Sequence, residues 1–373
     1  MFASGIRCPA CGRSYPLAPR WRCACLGNLE IQFDYRGIRK RLRASPLRGR
    51  AWTHDRYRDF FPVHSLVTLG EGCTPLLPGR NMGKELGLSL FFKNESANPT
   101  ASFKDRGSAV EVGAAVEARA QRVVCASTGN MGASVAAYAA VAGLHCTVYV
   151  PADARVTKLR QIQAAGAKLV RVRGGYTRAA ALAEARSPRS FLLGDYLYRR
   201  EGTKSVGYEL AEQLQPAWVI VPVGNGVLMA AVWKAFREFR DLGLLRRLPR
   251  LIAVQAAGSS TVADALLKHH TLHRLAHART VALAIEVDFP LDGLLARQAV
   301  EESRGFAVTV TDREILRARD LLLRREGLFA EPAGAAGLAG LLKIHDRLPQ
   351  GSRVACLVTG HGLKDPFPAA RRQ

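Results

Sequence analysis

One lysine in this 373-residue chain stands in a setting suited to covalent chemistry. Lys104 lies in the segment NPTASFKDRG, residues 98–107, just after a turn marked by proline. A primary amine at the start of a helix feels a dipole that favours loss of its proton, which makes the amine a nucleophile and a base. An isolated lysine on a helix is usually a solvated surface charge, so the interpretation depends on the segments that follow.

Two glycine-rich segments follow, each between a strand-like run and a helical pattern: STGNMGAS, residues 127–134, and PVGNGV, residues 222–227. Amides at a helix N-terminus bind anions, so the first loop suits a carboxylate and the second a phosphate monoester. The second loop is not a dinucleotide fingerprint, because it lacks the third glycine and the acidic residue after the next strand. An amine followed by these two loops is what an enzyme needs to hold pyridoxal phosphate.

The order and the amino-acid sequences of these segments resemble those of the threonine synthase family, within the tryptophan-synthase-like (fold type II) pyridoxal-phosphate enzymes. LGEGCTPLLP, residues 69–78, and VTGHGLKDP, residues 358–366, extend the resemblance over most of residues 65–366. The resemblance implies a carbon–oxygen lyase of threonine biosynthesis. Its reaction would convert O-phospho-L-homoserine and water to L-threonine and phosphate.

The resemblance also assigns roles to residues. Lys104 would hold the cofactor aldehyde and serve as acid and base, Asn130 would bond the phenolic oxygen of the cofactor, and Thr359 would meet the pyridine nitrogen. Arg199, in a segment similar to the family's NPYRIEGQKT, would hold the substrate phosphate. The complete expected set is Lys104, Phe103, Asn130, Gly224, Asn225, Gly226, Val227, Leu228 and Thr359 for the cofactor, and Thr100, Ser102, Ser127, Thr128, Gly129 and Arg199 for the substrate.

Three positions depart from the family pattern. Tyr196 stands where an asparagine is expected, Leu228 ends a loop that often reads Gly-Asn, and Gly334 replaces the serine of an EPAS segment. A lost polar group costs about 1–3 kcal/mol of binding. The first two departures favour an alternative substrate. In that case the enzyme would be β-eliminating or β-replacing and would act on O-phosphoserine, serine or threonine, as in cysteate synthase or a dehydratase.

Four of the eight cysteines lie near the N-terminus, as Cys8-x-x-Cys11, eleven further residues, and Cys23-x-Cys25. Two close pairs joined by a short loop can supply four thiolates to one tetrahedral zinc ion and leave no open position for catalysis. We therefore expect a structural zinc knuckle. Thiols that carry no metal are the alternative.

The formal charge of +23 arises from 43 arginines and 11 lysines, spread along the chain without long runs. We interpret them as solvated basic faces and expect no nucleic-acid binding. The rival hypothesis is a catalytically idle protein that binds the cofactor or nucleic acid, with the knuckle and the positive charge as its recognition surface. The intact Lys104, Asn130, glycine loop and Thr359 argue against it. No apolar run predicts a membrane span, and Cys8 precedes any apolar signal core. We expect a cytoplasmic enzyme, and the resemblance implies a homodimer.

From residue 88 onward, short apolar runs alternate with helical patterns. This alternation predicts an α/β fold with parallel-type sheets covered by helices. We predict a two-domain fold type II enzyme. Residues 31–113 and 204–373 would form the large cofactor domain, residues 114–203 a small mobile domain, and residues 1–30 the four-cysteine knuckle. Residues 31–70 are basic and poorly periodic, and we expect a wrap-around arm there.

Overall fold

The computed structural model describes residues 1–365 except residues 26, 128, 153 and 155. In this part of the chain the strands are β1 (Ala3–Arg7), β2 (Ser14–Tyr15), β3 (Glu30–Phe33), β4 (Leu76–Pro78), β5 (Ser89–Asn94), β6 (Arg122–Ala126), β7 (His145–Pro151), β8 (Lys168–Val172), β9 (Phe191–Leu192), β10 (Trp218–Pro222), β11 (Arg250–Ala256), β12 (Phe306–Val310) and β13 (Arg353–Val358). The α-helices are α1 (Tyr35–Ala44), α2 (Arg80–Leu86), α3 (Lys104–Glu117), α4 (Asn130–Val141), α5 (Val156–Ala164), α6 (Gly175–Glu184), α7 (Leu197–Thr203), α8 (Ser205–Gln213), α9 (Val227–Asp241), α10 (Thr261–Leu267), α11 (Gly293–Glu302), α12 (Asp312–Glu326) and α13 (Pro332–Ile344). Short 3-10 helices occupy Leu47–Gly49, His54–Phe60, Glu95–Ala97, Ser187–Arg189, Leu283–Ile285, His345–Arg347 and Gly362–Lys364.

The larger sheet has six strands in the order β12-β11-β10-β13-β5-β4. All neighbouring strands are parallel except β4 and β5, which pair antiparallel. Every residue of β10 is buried, and its sequence WVIVP is an unbroken apolar run. Strands covered on both faces have this composition in parallel sheets. Alanines and leucines of α13 complete the core beneath the sheet.

Two smaller sheets lie in the other part of the molecule. Strands β8-β7-β6-β9 form a four-stranded parallel sheet, and β2-β1-β3 form an antiparallel sheet near the N-terminus. The α/β class with parallel sheets and helices is therefore as the sequence predicted. Among the described residues, no helix is both long and apolar enough to cross a membrane.

Internal contacts divide the chain into two compact units. Unit 1 comprises residues 1–73 and 104–205, and unit 2 comprises residues 74–103 and 206–373. The division expected from the sequence differs, because it places residues 31–73 in the large domain. The predicted domain boundaries and the mobility of the small domain stay predictions.

The basic segment after the N-terminal strands contains a helix that its low periodicity did not indicate. Helix α1 begins after Asp34, whose carboxylate accepts the backbone N–H groups of Arg36 and Gly37. Its buried residues are only Ile38 and Leu42, one helical turn apart. A stripe two residues wide among many basic residues gives a weak sequence signal. The expected wrap-around arm stays a prediction.

A buried ion pair joins β5 to α8 within unit 2. Lys93 Nζ donates to Glu209 Oε2 at 2.6 Å, to Thr74 O at 2.8 Å and to Gln213 Oε1 at 2.9 Å. The side chains of Lys93 and Glu209 are both fully buried. A charge pair of this kind depends on both partners, because either charge alone would be costly to bury.

We expect the Lys93→Met variant to lose about 3–5 kcal/mol of unfolding free energy, because it leaves the Glu209 carboxylate buried without its cation. Urea denaturation measures the loss. The matched variant Lys93→Met with Glu209→Leu removes both charges and should recover most of the stability. A single variant as stable as the wild type would show that the pair does not stabilise unit 2.

Candidate active site

Lys104 is the first residue of α3, in unit 1. Its Nζ donates to Asp195 Oδ1 at 3.2 Å, and the two side chains are 15% and 3% exposed. The amine is therefore reachable from solvent and held by a buried carboxylate. No motif indicated Asp195. The available signal was an acidic residue directly before the segment that the family resemblance assigns to the substrate.

Arg199 lies beneath the first turns of α3 and is 1% exposed. Its Nη1 donates to the Lys104 carbonyl at 2.8 Å, and its Nη2 donates to Ser108 Oγ at 3.0 Å and to Glu111 Oε1. The guanidinium thus fixes the backbone from which the Lys104 side chain extends. Its Nε has no hydrogen-bond partner among the described residues. The expected contact of Arg199 with a substrate phosphate stays a prediction.

Glu111 connects α3 to the backbone next to Asp195. Its Oε2 accepts the Gly194 N–H at 3.1 Å, while its other oxygen accepts from Arg199. Burial raises the pKa of Glu111 to about 7, although Arg199 and the Gly194 amide both favour the charged form. One carboxylate therefore holds the arginine and the backbone before α7 together, and its charge changes near neutral pH.

The loop before α4 is closed by a serine. Ser127 Oγ accepts the backbone N–H groups of Gly129 at 3.1 Å and Gly132 at 2.8 Å. Two amides of this loop are thus used within the loop itself. Asn130 begins α4 and is 7% exposed. Thr128 lies outside the described residues, and the cofactor and substrate roles of this loop stay predictions.

In unit 2, the segment that leads to Lys104 runs beside the loop after β13. Phe103 N–H donates to Thr359 O at 3.1 Å, and Ser102 forms an antiparallel bridge with Gly360. Lys364 Nζ donates to the Thr100 carbonyl at 2.6 Å. Phe103 and Thr359, both expected to contact the cofactor, are therefore neighbours.

Ala101 has a φ of 65°, a left-handed conformation that is uncommon for residues other than glycine. Its N–H donates to Asn98 O at 2.7 Å, and its carbonyl accepts the His361 N–H at 3.0 Å. These bonds hold the strained residue in place. Such strain persists where the surrounding structure fixes it, often at functional sites.

The glycine that replaces the family's serine in the EPAS segment has a steric cause. A Cβ at Gly334 would lie 2.8 Å from the Gly360 carbonyl oxygen and 3.4 Å from Thr359 N. Helix α13 approaches the Thr359 loop too closely for a side chain. Glu331 is the residue that precedes this helix, and its N–H donates to Gly360 O at 3.0 Å.

The second glycine loop joins β10 to α9 in unit 2. A Cβ at Gly224 would lie 3.0 Å from Ile285 Cα, and one at Gly226 would lie 2.7 Å from Asp292 O. Gly226 also has a φ of 93° and caps α9 without any side-chain hydrogen bond. The first amides of α9 have no acceptor within the helix. Glycine is therefore required here, and the helix N-terminus is available to an anion.

These residues fit pyridoxal phosphate. Ser102 Oγ is fully buried and has no hydrogen-bond partner among the described residues, and a buried hydroxyl of this kind calls for a polar ligand. The N-terminus of α9 offers amides and a positive dipole end to a phosphate. Lys104 has an amine and Thr359 a hydroxyl, the groups that an aldehyde and a ring nitrogen require, and their roles stay predictions. The residue types present therefore match the phosphate, the aldehyde and the ring nitrogen of the cofactor.

Comparison with known proteins decides the family. Residues 67–360 match the family of pyridoxal-phosphate dependent enzymes. The threonine synthase of Methanocaldococcus jannaschii is 40% identical, over 98% of this chain and 94% of the relative. The threonine synthase of Methanosarcina acetivorans is 37% identical, over 97% of this chain and 92% of the relative. The chain belongs to the threonine synthase family.

Solved structures of other enzymes share the fold. A threonine deaminase of T.th. has a TM-score of 0.66 and 27% identity, over 77% of this chain and 92% of that one. A maize serine racemase, at 23% identity and a TM-score of 0.69, covers 77% of this chain and 88% of its own and supports the fold alone. The predicted fold type II class, family and cofactor are confirmed.

The four N-terminal cysteines converge as predicted. The sulfur atoms of Cys8, Cys11, Cys23 and Cys25 all lie within 4.8 Å of one another. The Tyr15 hydroxyl lies 3.1 Å from Cys23 Sγ. Four converging cysteine sulfur atoms are the donor set of a tetrahedral zinc site, in which they bind as thiolates.

We expect the contribution of Glu111 to stability to fall as pH rises. Its folded pKa of about 7 lies above the unfolded value of about 4.3, so the folded state holds an extra proton between these values and loses it as pH increases. Glutamine at position 111 does not titrate. The unfolding free energy of the wild type minus that of Glu111→Gln, measured with urea, should therefore be more positive at pH 5 than at pH 7.5, by on the order of 2 kcal/mol. A difference that is constant with pH would contradict this expectation.

Proposed function

We propose that this chain converts O-phospho-L-homoserine and water to L-threonine and phosphate. The observation that carries the proposal is Lys104 at the head of α3, with its Nζ held by Asp195. Its family membership supports the reaction, since the relatives that match over nearly the whole chain are threonine synthases. The sequence-based prediction of a pyridoxal-phosphate-dependent lyase acting on an amino acid agrees with that family.

When bound, pyridoxal phosphate supplies the electron sink that allows protons to leave carbons near the substrate amino group. Lys104 Nζ takes a proton from Cα, gives it to the phosphate group, and then takes a proton from Cβ, while phosphate leaves Cγ with the electron pair of the C–O bond. A proton goes to Cγ, and a water oxygen bonds to Cβ and gives up one proton. Lys104 then returns a proton to Cα, so the three protons lost by Cα, Cβ and water end on phosphate, Cγ and Cα.

The residues around Lys104 support these proton transfers. Asp195 orients the Nζ group between transfers, and Arg199 fixes the backbone carbonyl of Lys104. The buried Nε of Arg199 remains as a donor for an anion such as the leaving phosphate. The hydroxyls of Thr100 and Ser102 are proposed to face the substrate.

One observation favours the alternative substrates. Tyr196, which stands where the family has asparagine, donates its hydroxyl to Glu184 Oε1 at 2.9 Å. Directly before it, Asp195 adds a carboxylate that would repel a phosphate close by, whether it belongs to O-phospho-L-homoserine or to O-phosphoserine. A lyase acting on O-phosphoserine, serine or threonine is the second candidate, and this repulsion favours serine or threonine among its substrates.

Absorbance titration separates the two candidates. The cofactor-loaded protein is titrated with O-phospho-L-homoserine and then with O-phosphoserine, serine and threonine, while phosphate and threonine are assayed. A spectral change with O-phospho-L-homoserine together with threonine formation supports the proposal. A response to the other amino acids alone replaces it with the second candidate.

The same spectra test Lys104. Replacing Lys104 with alanine removes the amine that binds the cofactor aldehyde, so we expect the absorption band of the lysine-bound cofactor to disappear and turnover to stop. Lys168→Ala, at an exposed lysine of β8, is the matched control and should keep the wild-type spectrum. An unchanged spectrum in Lys104→Ala would overturn the assignment.

We further propose that the four N-terminal cysteines hold a structural zinc ion. The convergence of the four sulfur atoms supports it. Protein purified under reducing conditions should contain about one zinc ion per chain. Cys23→Ser should lose the metal and melt at a lower temperature, whereas Cys146→Ala, outside the cluster, should keep it. Reduced thiols without metal, and a melting temperature unaffected by a chelator, would refute the site.

A homodimer, a cytoplasmic location and the lack of nucleic-acid binding complete the proposal. Family resemblance supports the dimer, and a biosynthetic amino-acid substrate supports the cytoplasm. The dispersed arginines support solvated basic faces, since they form no long basic run. Size-exclusion chromatography with light scattering measures the oligomeric state.

A further inference from the structure

The N-terminal module, defined as the described part of residues 1–33, holds the four cysteines and the strands β1 to β3. The loop between its two cysteine pairs carries Trp21 and Arg22. The reaction described above uses neither residue. Both lie in unit 1, together with Lys104 and Asp195.

Trp21 packs on two aromatic residues that flank Asp195 in the sequence. Its ring centroid lies 5.0 Å from that of Phe191, in an edge-to-face arrangement, and 6.1 Å from that of Tyr196. Phe191 begins β9, and Tyr196 is the residue that precedes α7. A rigid indole in contact with both rings restrains the short backbone segment between them.

Arg22 reaches the same segment through Glu184. Arg22 Nη2 donates to Glu184 Oε1 at 3.3 Å, and the same oxygen accepts the Tyr196 hydroxyl at 2.9 Å. The arginine and glutamate side chains are 35% and 40% exposed, so this contact is weaker than the aromatic packing. Because Arg22 directly precedes Cys23, the cysteine cluster fixes one end of this connection.

Two buried contacts join the module to α7, the helix that carries Arg199. Arg200 Nη1 donates to the Leu29 carbonyl at 2.8 Å, and Arg200 is 1% exposed. Lys204 Nζ lies 4.4 Å from the centre of the Phe33 ring. Arg200 stands where the similar family segment NPYRIEGQKT has isoleucine.

The backbone segment that carries Asp195 is short, and it runs from Gly194 to Tyr196. Tyr196 N–H donates to Gly194 O at 2.7 Å, and Gly194 N–H donates to Glu111. Asp195 lies between Gly194 and Tyr196. The segment is therefore held by α3 on its Gly194 side and by the N-terminal module on its Tyr196 side, so movement of either support moves the Asp195 carboxylate.

We propose that the N-terminal module positions the catalytic pair, because Trp21 and Arg22 hold Tyr196 and so keep Asp195 on Lys104 Nζ. Trp21 and Arg22 are positioning residues, since they act through Tyr196 and do not contact Lys104. The kinetic test of this inference rests on the proposed function. The chemical test of Lys104 does not.

The kinetic test compares Trp21→Ala, Trp21→Phe, Asp195→Asn and the double variant Trp21→Ala with Asp195→Asn. We expect Trp21→Ala to lower kcat about 10-fold with a smaller change in KM, and Trp21→Phe to recover most of the loss. In the Asp195→Asn background, Trp21→Ala should lower kcat by less than about 2-fold, because both changes act through one contact. Fully additive losses would overturn the proposal.

Arg22→Ala tests the weaker contact, from Arg22 through Glu184 to Tyr196, and should lower kcat about 2–3-fold. Arg7→Ala, at an exposed arginine of β1 in the same module, is the matched control and should leave kcat unchanged. Equal losses in the two arginine variants would indicate a general effect of charge or stability, which would contradict a positioning role for Arg22. These variants keep the proposal testable if Trp21→Ala does not fold.

The chemical test measures Lys104 in the cofactor-free protein. Reductive methylation with formaldehyde and cyanoborohydride, quantified by peptide mass spectrometry, should modify Lys104 a few-fold faster in Trp21→Ala and in Asp195→Asn than in the wild type. Lys168 in the same samples should react at an unchanged rate. A Trp21→Ala protein that melts earlier but has wild-type Lys104 reactivity would show that the module is only structural. If the wild type makes no threonine, the proposed function fails, and this measurement still decides the positioning role.

Discussion

The buried pairing of Arg199 with Glu111 is the constraint on which the Lys104 region depends. It joins the start of α3 to α7 and to the backbone amide of Gly194. Removing two charges from water is unfavourable unless their geometry and remaining hydrogen bonds are nearly ideal, so few arrangements of these helices are compatible with it. The glycine of the KDRG sequence follows from the same pairing, since a Cβ at Gly107 would lie 2.5 Å from Arg199 Cγ.

Much of the fold could be predicted from the sequence because its signals are local. Buried strands such as β10 are unbroken apolar runs, and α12 begins at a capping box in which Thr311 and Glu314 bond each other's backbone. Helix α1 shows the limit of this reasoning. Ile38 and Leu42 make a stripe that becomes recognisable only once the surface it covers is known.

The candidate site also contains residues that the sequence indicates and residues that only the structure brings together. Lys104 and the glycine loops belong to contiguous motifs, so sequence could indicate them. Asp195 follows Lys104 by 91 positions and meets it only through the packing of α3 against the segment before α7. Nor could sequence show how Arg199 is bound, because its partners are a backbone carbonyl and the side chains of α3. Residues that support a reactive group through tertiary contacts leave no spacing pattern to read.

The bond between Arg200 and the Leu29 carbonyl has an evolutionary consequence. A descendant that lost its N-terminal residues would keep a guanidinium inside the protein with one acceptor fewer, and a buried donor left unsatisfied is destabilising. Substitution of Arg200 by isoleucine, the residue in the similar family segment, would relieve that cost. Loss of the cysteine-bearing residues and an apolar residue at position 200 should therefore be inherited together, and lineages that retain arginine there should retain the cysteines as well.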